Sequence, residues 1–176
     1  YLGSGNEFTR LEGRARFYFN PFWKVILKLN TTIGYVVSPD GSEVPFYERF
    51  FVGGIFDVRG FQRHSLGPEV NVASTNEPGA STSPFTTGGN KKLIFNVELE
   101  IPFLEELRIR GVLFFDAGQA FSADQNIDIT ELRPSVGFGI RWWSPVGPLR
   151  FEWGIPLNPN PDEEPIVFEF TIGNSF

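Results

Sequence analysis

Hydrophobic and polar residues alternate with a period of two along most of this chain. Over residues 93–101 the odd positions carry Leu, Phe, Val, Leu and Ile, while positions 96, 98 and 100 carry Asn, Glu and Glu. Successive side chains of a β-strand point to opposite faces of a sheet, so this alternation separates apolar from polar groups. The pattern predicts a β-sheet with one apolar face and one polar face.

The same alternation marks eight segments, and each of them is a predicted strand. We expect an all-β fold in which the strands are antiparallel and each pairs with its neighbours in sequence. No linker divides the chain, so we expect a single domain over residues 1–176. The predicted strands lie at residues 8–18, 23–35, 45–53, 93–101, 108–121, 133–143, 149–155 and 166–176.

Composition favours a sheet that faces lipid. Hydrophobic residues make up 41% of the chain, which contains 20 Phe. No run approaches the roughly 18 apolar residues of a membrane helix, so a membrane would be crossed by strands, which must close into a barrel. The alternative is a soluble β-sandwich or lipocalin-like barrel with its apolar face inward. The polar face is rich in glycine and charge and the apolar face is dense in Phe, Trp, Leu and Ile, which favours an antiparallel transmembrane β-barrel.

Composition also excludes several classes of function. The chain has no Cys, which excludes disulfides, zinc–thiolate sites and thiol nucleophiles. Its net charge of −6 argues against a nucleic-acid partner. The start of the chain, "YLGSGNEFTR", lacks a secretory signal pattern, so either a leader was removed or the sequence is a piece of a longer protein. We expect no cofactor and no metal site.

Two residue pairs and the acidic loops raise the question of catalysis or ion binding. His64 and Ser65 are adjacent, but a serine nucleophile needs a base oriented by a third group, and the chain contains one His. Glu98 and Asp116 are an alternative general acid/base pair, although no sugar-binding cleft is evident. Acidic loop residues, at positions 124, 128 and 162–164, are candidates for weak calcium binding, although such loops are usually just solvated. We expect that the protein is not an enzyme.

The longest predicted connection covers residues 55–90. Loops of this length in ordered domains are usually functional or disordered. The second half, "ASTNEPGASTSPFTTGG", is a low-complexity tract, whereas the first half contains "DVRGFQRHSLGP", which is not. The first half is therefore the stronger candidate for a functional segment.

The stretch "FFVGGIFDVRGFQRHSLGP" resembles the sixth extracellular loop of the superfamily of BamA-like outer-membrane assembly factors and two-partner-secretion translocases. Two further stretches, "NVELEIPF" and "FFDAGQAF", are similar to strand motifs of the same superfamily. The run Trp-Ser-Pro-x-Gly-Pro-Leu at residues 143–149 is closest to its BamA-like branch. The resemblance is carried by the loop motif Val58, Arg59, Gly60 and Phe61, by Glu98 on one strand, and by Phe114, Asp116 and Gly118 on the next.

The last predicted strand, "FEFTIGNSF", resembles the C-terminal sorting signal of bacterial outer-membrane barrels. That signal consists of alternating hydrophobic residues, a glycine and a terminal aromatic residue, here Phe168, Phe170, Ile172, Gly173 and Phe176. In BamA-like proteins the last strand borders a seam with the first strand and kinks there, and Gly173 fits such a kink. The alternative is that Gly173 makes room for an inward neighbour.

The resemblance implies a location in the bacterial outer membrane and the C-terminal half of a sixteen-stranded barrel, without the N-terminal half-barrel and the periplasmic domains. Eight strands can close into a small barrel, and we expect this self-closure; the alternative is a homodimer formed through exposed strand edges. With an even number of strands, both chain ends would be periplasmic and the long loop would lie outside the cell.

The resemblance also implies a function, which is the insertion of β-barrel proteins into the outer membrane through a strand edge at a lateral seam. The implied partners are the lipid bilayer, unfolded outer-membrane proteins and the lipoproteins of an assembly complex. Two alternatives remain open. One is a small self-contained barrel with a structural or binding role, and the other is a fragment of a two-partner-secretion translocase.

Arg59 has candidate partners inside such a barrel. Alternation places Asp116 on the polar face of its strand and Glu98 on the polar face of the neighbouring strand. Two facing carboxylates repel each other, and a guanidinium group between them removes the repulsion because its planar fork can bond a carboxylate with two parallel donors. We therefore expect Arg59 to latch the loop inside the barrel. The alternative is a solvated loop arginine that contacts only the rim.

The residues around Arg59 fit the same hypothesis. Gly60 would let the loop backbone turn sharply or approach the wall closely. Phe61 and Phe114 would pack beside the ion pair and exclude water from it.

Overall fold

The computed structural model describes residues 7–39, 41–73, 82–145 and 147–173. Over these residues the chain forms nine strands and two short 3-10 helices, Phe46–Glu48 and Ile129–Glu131. All strand pairs are antiparallel, which confirms the predicted fold class. The strands are β1 (Thr9–Phe19), β2 (Ile26–Val37), β3 (Glu69–Ala73), β4 (Thr82–Thr86), β5 (Lys91–Leu104), β6 (Ile109–Phe121), β7 (Arg133–Ser144), β8 (Gly147–Pro156) and β9 (Val167–Ile172).

Seven of the described strands form the main sheet, in the order β1-β2-β5-β6-β7-β8-β9. Short turns join β1 to β2, β5 to β6 and β7 to β8 at one end of the sheet, which we call the turn end. The longer connections lie at the opposite end, the loop end. The longest of them, residues 38–90, joins β2 to β5 and is called the long loop below; it contains the separate hairpin of β3 and β4.

The predicted strand at residues 45–53 is wrong. This segment contains the 3-10 helix Phe46–Glu48, and its only sheet-like contacts among the described residues are isolated bridges from Phe50 to Gly89 and from Val52 to Leu66. Gly53 has a φ of +112°, a value that favours glycine and ends an extended run. Phe50 and Val52 of the segment are buried because the loop packs against the sheet, and not because the segment belongs to it.

The loss of that strand changes the expected topology. Thr9 pairs with Val37 at the loop end, and Ile172 pairs with Leu149 near the turn end. The sheet of the described residues has seven strands, an odd number, so β1 begins at the end opposite to the one where β9 finishes. The expectation that both chain ends share one side is therefore wrong for the described part of the chain.

Strands β1 and β9 form the two edges of the main sheet, and within the described residues they are not paired with each other. The expected self-closure into a small barrel is therefore not confirmed. Each edge strand leaves one row of backbone N–H and C=O groups without a partner strand in the described chain.

The two faces of the sheet have inverted polarity compared with a soluble protein. On the outer face, Leu113 and Phe115 of β6 are 52% and 41% exposed, whereas Asp116 on the inner face is 0% exposed. A soluble barrel would bury the apolar face and expose the charged one. The arrangement is that of a membrane-facing wall whose polar side is covered, as in transmembrane barrels.

The buried apolar core lies between the inner face and the long loop. Its largest cluster joins loop and wall residues: Val52, Val58, Phe61, Leu66, Ile94 and Ala120. Neither helix in the described segments has the length and hydropathy that a membrane-crossing helix needs.

Candidate functional site

The first half of the long loop turns back onto the inner face of the sheet. The N–H of Asp57 donates to the carbonyl of Gly54, and the N–H of Gly54 donates to the carbonyl of Val58, over 3.0 and 3.1 Å. These two bonds close a tight turn that directs the following residues toward the wall. Gly53 and Gly54 both have positive φ values, which make this turn accessible.

Gly60 brings the loop backbone into contact with β8. Its φ of +88° lies in the left-handed region, and a Cβ atom on it would lie 3.0 Å from the backbone of Gly154. A Cβ atom on Gly154 would lie 2.2 Å from the backbone nitrogen of Gly60. Two facing glycines thus permit a backbone approach that no larger residue would allow.

Arg59 forms a bidentate contact with Asp116 of β6. Its Nε donates to Oδ2 over 2.7 Å and its Nη2 donates to Oδ1 over 2.9 Å. The backbone N–H of Arg59 adds a third bond to Oδ2, at 3.1 Å. Such parallel charge-assisted bonds are among the stronger hydrogen bonds in proteins, and they fix the orientation of the guanidinium plane.

The remaining donor of Arg59 reaches two further carboxylates. Nη1 lies 2.8 Å from Oε2 of Glu98 on β5 and 3.2 Å from Oε2 of Glu152 on β8. The guanidinium carbon lies 3.7 Å from the ring centroid of Phe114, so the cation also stacks on an aromatic face. One loop side chain is therefore bonded to three strands of the wall.

Neighbouring carboxylates stabilise the protonated form of Arg59. Burial alone would lower the pKa of its guanidinium group, but the nearby Asp116, with Glu152 and Glu98, raises that pKa well above its ordinary value. Arg59 therefore stays protonated throughout the physiological pH range, and its contacts do not titrate away through loss of its own proton.

Arg141 and Arg150 complete a network that sequence reasoning did not identify. Arg141 donates to both oxygens of Glu98, at 2.6 and 2.5 Å, and to Glu152 at 3.0 Å. Arg150 bonds Glu152 at 2.9 Å. Together with Arg59, these arginines supply three positive charges that balance the three carboxylates bonded to Arg59, which are Asp116, Glu98 and Glu152.

The network extends toward the turn end through a lysine. The Nζ of Lys28 lies 3.3 Å from Glu98 and 2.6 Å from Glu100. The signal that could have revealed these residues is their position on the polar face of the predicted strands. Which of them meet depends on the register between strands, and the alternating pattern does not contain that register.

Val58 and Gly118 fit together as a side chain and a matching space. A Cβ atom on Gly118 would lie 2.6 Å from Cγ2 of Val58, so the glycine leaves room for the valine. Val58 is 0% exposed and Phe61 is 2% exposed, and both belong to the apolar cluster under the loop. The ring of Phe114 packs on Arg59, whereas the ring of Phe61 lies beneath the guanidinium of Arg133, at 5.0 Å.

The described residues of the predicted sorting signal lie on β9 and directly after it. Phe168, Phe170 and Ile172 are exposed on the outer face, and Phe168 and Phe170 contact Trp153 and Phe151 of β8. Gly173 has a φ of +107° and ends the strand, and its N–H donates to the carbonyl of Pro148. No described atom lies within 4 Å of a Cβ built on Gly173, so the idea that it makes room for a neighbour has no support. Phe176 lies outside the described residues.

The residues considered for catalysis or ion binding make other contacts. The hydroxyl of Ser65 donates to the carbonyl of Gln62, and the imidazole of His64 lies against the ring of Phe51. Glu98 and Asp116 are both bonded to Arg59, which does not leave them as a free acid/base pair.

Asp128, one of the acidic residues considered for calcium, caps a 3-10 helix. Its carboxylate accepts the backbone N–H and the hydroxyl of Thr130, and these bonds lower the pKa of Asp128. The carboxylate of Asp128 is therefore used in local hydrogen bonds to Thr130.

Comparisons with known proteins agree with this architecture. The family model described as "Omp85 superfamily domain" matches residues 1–176. The outer membrane protein assembly factor BamA of Nitratidesulfovibrio vulgaris (strain Hildenborough) is 35% identical over 179 residues, which cover 99% of this chain and 21% of that protein. BamA of Neisseria meningitidis serogroup B is 33% identical over 162 residues, covering 77% of this chain and 19% of that protein.

A solved structure is similar over almost the whole chain. The crystal structure of BamA from Haemophilus ducreyi lacking POTRA domains 1–3 has a TM-score of 0.78 and 27% sequence identity, covering 97% of this chain and 35% of that one. The chain spans about a fifth of the length of the two curated relatives.

Proposed function

The chain belongs to the Omp85 superfamily and lies in the bacterial outer membrane, and from this premise we propose that it is the C-terminal barrel segment of a factor that inserts β-barrel proteins into that membrane. The named relatives are assembly factors, and their matches cover 99% and 77% of this chain. We further propose that residues 1–176 act as one domain in this role, and that the role involves no covalent chemistry.

The observation that carries the proposal is the burial of Arg59 among wall carboxylates. A loop held by bonds to β5, β6 and β8 covers the inner face and stiffens the middle of the wall. We propose that Val58, Arg59, Gly60 and Phe61 act as a latch, with Glu98, Phe114, Asp116 and Gly118 as its seat. A rigid middle allows an edge strand to move without collapse of the whole sheet.

The edge strand β9 is suited to receive an incoming strand. It has six residues where β5 has 14, so at about 3.3 Å per residue it spans about 20 Å where β5 spans about 46 Å. A short strand with an unpaired edge is a template for β-augmentation by another chain. Because β9 is short, the apolar surface at this edge spans less of the bilayer thickness, which favours local thinning of the bilayer.

The same geometry supports a proposal about partners. We propose that β1 pairs with the preceding strands of the full-length barrel and that β9 faces the seam at which unfolded outer-membrane proteins enter. Assembly lipoproteins would bind the parts of the parent protein that precede this chain. Pairing of two copies through these edges is the competing arrangement.

A self-contained small barrel is the weaker candidate. Such a barrel would pair its first and last strands, and the described strands β1 and β9 are the unpaired edges of an open sheet. A fragment of a two-partner-secretion translocase is also less favoured, because both relatives named above are assembly factors.

A chimera tests the proposed function. This chain would replace the corresponding C-terminal segment of BamA from Nitratidesulfovibrio vulgaris, and the purified protein would be reconstituted into liposomes. We expect the chimera to accelerate the folding of an unfolded outer-membrane barrel protein at least tenfold over empty liposomes. Protease protection and heat-modifiable gel migration of the substrate report its insertion.

Two controls separate failure of function from failure of folding. The chimera itself must show the gel shift of a folded barrel, and the parent BamA must be active in the same liposomes. If the chimera is folded and the substrate inserts no faster than in empty liposomes, the proposed function is overturned. Cysteines placed on β1 and on β9 test the competing arrangements. A crosslink within one copy would indicate self-closure of this segment, a crosslink between copies would indicate pairing of two copies, and the proposed arrangement predicts neither.

A further inference from the structure

The base of the long loop contains a buried aromatic residue at some distance along the chain from Arg59. Phe50 is 1% exposed and forms a small apolar cluster with Val36 and Val44. Its backbone is bonded to Gly89 in both directions, with each N–H···O distance at 2.8 Å. Phe50 is therefore fixed by its backbone as well as by its ring.

The ring of Phe50 occupies the space left by a glycine in the wall. A Cβ atom on Gly34 of β2 would lie 2.7 Å from Cζ of Phe50 and 2.9 Å from Cγ of Lys92. Gly34 pairs with Glu12 of β1 on one side and with Lys92 of β5 on the other. The row Glu12–Gly34–Lys92 thus forms a shallow seat in which only the central position lacks a side chain.

Two cations lie over the ring in this seat. The guanidinium carbon of Arg10 lies 4.4 Å from the ring centroid of Phe50, and Nζ of Lys92 lies 5.0 Å from it. Both distances are within the range of cation–π attraction. Arg10 also donates to the carbonyl of Glu48 in the loop, and Lys92 forms an ion pair with Glu12 at 3.2 Å.

The seat of Phe50 and the seat of Arg59 involve mostly different strands. Phe50 contacts β1, β2 and β5, whereas the bonds of the Arg59 side chain go to β5, β6 and β8. The forces also differ, because one seat is an aromatic ring against glycine and cations and the other is a buried ion network. Loss of one set of contacts removes none of the direct contacts of the other.

We propose that Phe50, seated on Gly34 between Arg10 and Lys92, is a second and independent anchor that holds the base of the long loop to β1, β2 and β5. The tip that carries Arg59 can then leave the wall while the base stays in place. The loop opens as a flap, and its position relative to β1 is preserved. This inference does not depend on the assembly activity, but it rests on the latch proposed above, because the flap opens when Arg59 leaves its seat.

Thiol labelling at two sites tests the independence of the anchors. The chain has no Cys, so each introduced cysteine is the only thiol that this chain contributes. Val44→Cys reports the Phe50 seat and Ser135→Cys, a nearly isosteric change, reports the Arg59 seat; the two native side chains are 3% and 0% exposed. Labelling by a charged maleimide is measured in the full-length protein in liposomes, with each site quantified by peptide mass spectrometry.

We expect opposite patterns from the two anchor variants. Phe50→Ala should raise the labelling rate at Val44→Cys at least tenfold and change that at Ser135→Cys less than twofold. Arg59→Ala should do the reverse. Phe56→Ala is the matched control, because Phe56 is a loop aromatic residue with 57% exposure, and it should change neither rate more than twofold.

A milder variant covers the case in which Phe50→Ala does not fold. Arg10→Gln combined with Lys92→Gln keeps the ring and should raise labelling at Val44→Cys several-fold, and restoring a cation with Arg10→Lys should reverse part of that rise. The proposal is overturned if Phe50→Ala, or the double variant in its place, leaves Val44→Cys protected. An equal rise at both reporters in either variant would also overturn it, because the anchors would then be one unit.

Discussion

The middle of the main sheet and its two edges carry the same alternating pattern, yet the structure treats them differently. On β6 and β8 the inner side chains of Asp116 and Glu152 are 0% and 1% exposed. On β1 all eleven residues are exposed, and β9 alternates between half-buried and exposed positions. Inner polar side chains are therefore buried in the middle of the sheet, around Arg59 of the long loop, and exposed along β1.

The alternating pattern therefore predicts which side chains share a face of the sheet. It does not predict whether another part of the chain covers that face. A buried charge is costly unless it is paired and hydrogen-bonded. In the middle of the sheet, Arg59, Arg141 and Arg150 supply those partners for Asp116, Glu98 and Glu152. On the edge strand β1, the side chains of Arg14 and Glu12 are 43% and 33% exposed, so solvent can reach their charges without a fully buried network.

The largest expected effect comes from removal of the loop arginine in the middle of the sheet. Arg59→Ala removes the side-chain bonds of Asp116 to Arg59 and one hydrogen bond each from Glu98 and Glu152. We expect the free energy of unfolding to fall by about 3–5 kcal/mol. Urea titration in detergent micelles, followed by tryptophan fluorescence, measures this loss. Limited proteolysis should then show new cleavage within residues 62–66.

The neighbouring Arg63→Ala is the control for that prediction. Arg63 lies in the same loop and is exposed, so its removal should change the free energy of unfolding by less than about 0.5 kcal/mol. An unchanged cleavage pattern in Arg59→Ala would show that the position of the loop does not depend on the arginine. Arg59 would then not explain why polar side chains are buried in the middle of the sheet and exposed at its edge.

A medium effect is expected from the backbone contact between Gly60 and Gly154. Gly154→Ala places a methyl group 2.2 Å from the backbone nitrogen of Gly60, and the loop must shift to relieve this clash. We expect a loss of about 1–3 kcal/mol in the free energy of unfolding, the usual range for overpacking. The same urea titration measures it.

Gly111→Ala on β6 provides the matched comparison. A Cβ atom there would meet only the carbonyl oxygen of Ile101, at 4.0 Å, so the change should stay within about 0.5 kcal/mol. If Gly154→Ala and Gly111→Ala are equally mild, the loop does not rest on β8 in the way that the contact implies.

The smallest effect is expected at the edge. Arg14 of β1 bonds Thr32 and lies 3.5 Å from Glu12, with 43% of its side chain exposed. Exposed pairs of this kind contribute below about 1 kcal/mol, so Arg14→Ala should change the free energy of unfolding by no more than that. Arg141→Ala, the same substitution in the middle, should lose about 3–5 kcal/mol. Equal losses at Arg14 and Arg141 would remove the distinction between the two regions.

Much of the fold could be predicted because it rests on a local period. Seven of the eight predicted strands overlap strands of the main sheet, with boundaries a few residues apart. The eighth, at residues 45–53, was wrong because a loop packed against a wall also alternates between buried and exposed positions. The hairpin of β3 and β4 was not predicted, since its strands have five residues each and one of them begins in a low-complexity tract.

The candidate site could be predicted in part for a similar reason. The loop motif and the inward positions of Glu98 and Asp116 follow from resemblance and alternation, and the structure brings these residues to Arg59. Glu152 and Arg141 were on predicted polar faces as well, but nothing in the pattern singled them out. Their role in the network arises because β7 and β8 pair in a register that brings Arg141 to Glu152. Arg141 then bonds Glu98, and Glu152 bonds Arg59.

The sequence by itself determined the antiparallel strands, the two faces of each strand and the loop segment that carries Arg59, because these depend on neighbouring residues and on a recognisable motif. Only the tertiary structure decided which polar side chains are buried, that Phe50 and Arg59 are seated on mostly different strands, and that β1 and β9 remain edges in the described chain. These features depend on the register and curvature that bring distant strands and the loop together. A pattern with a period of two is the same for a covered strand and an open one, so it cannot encode the difference.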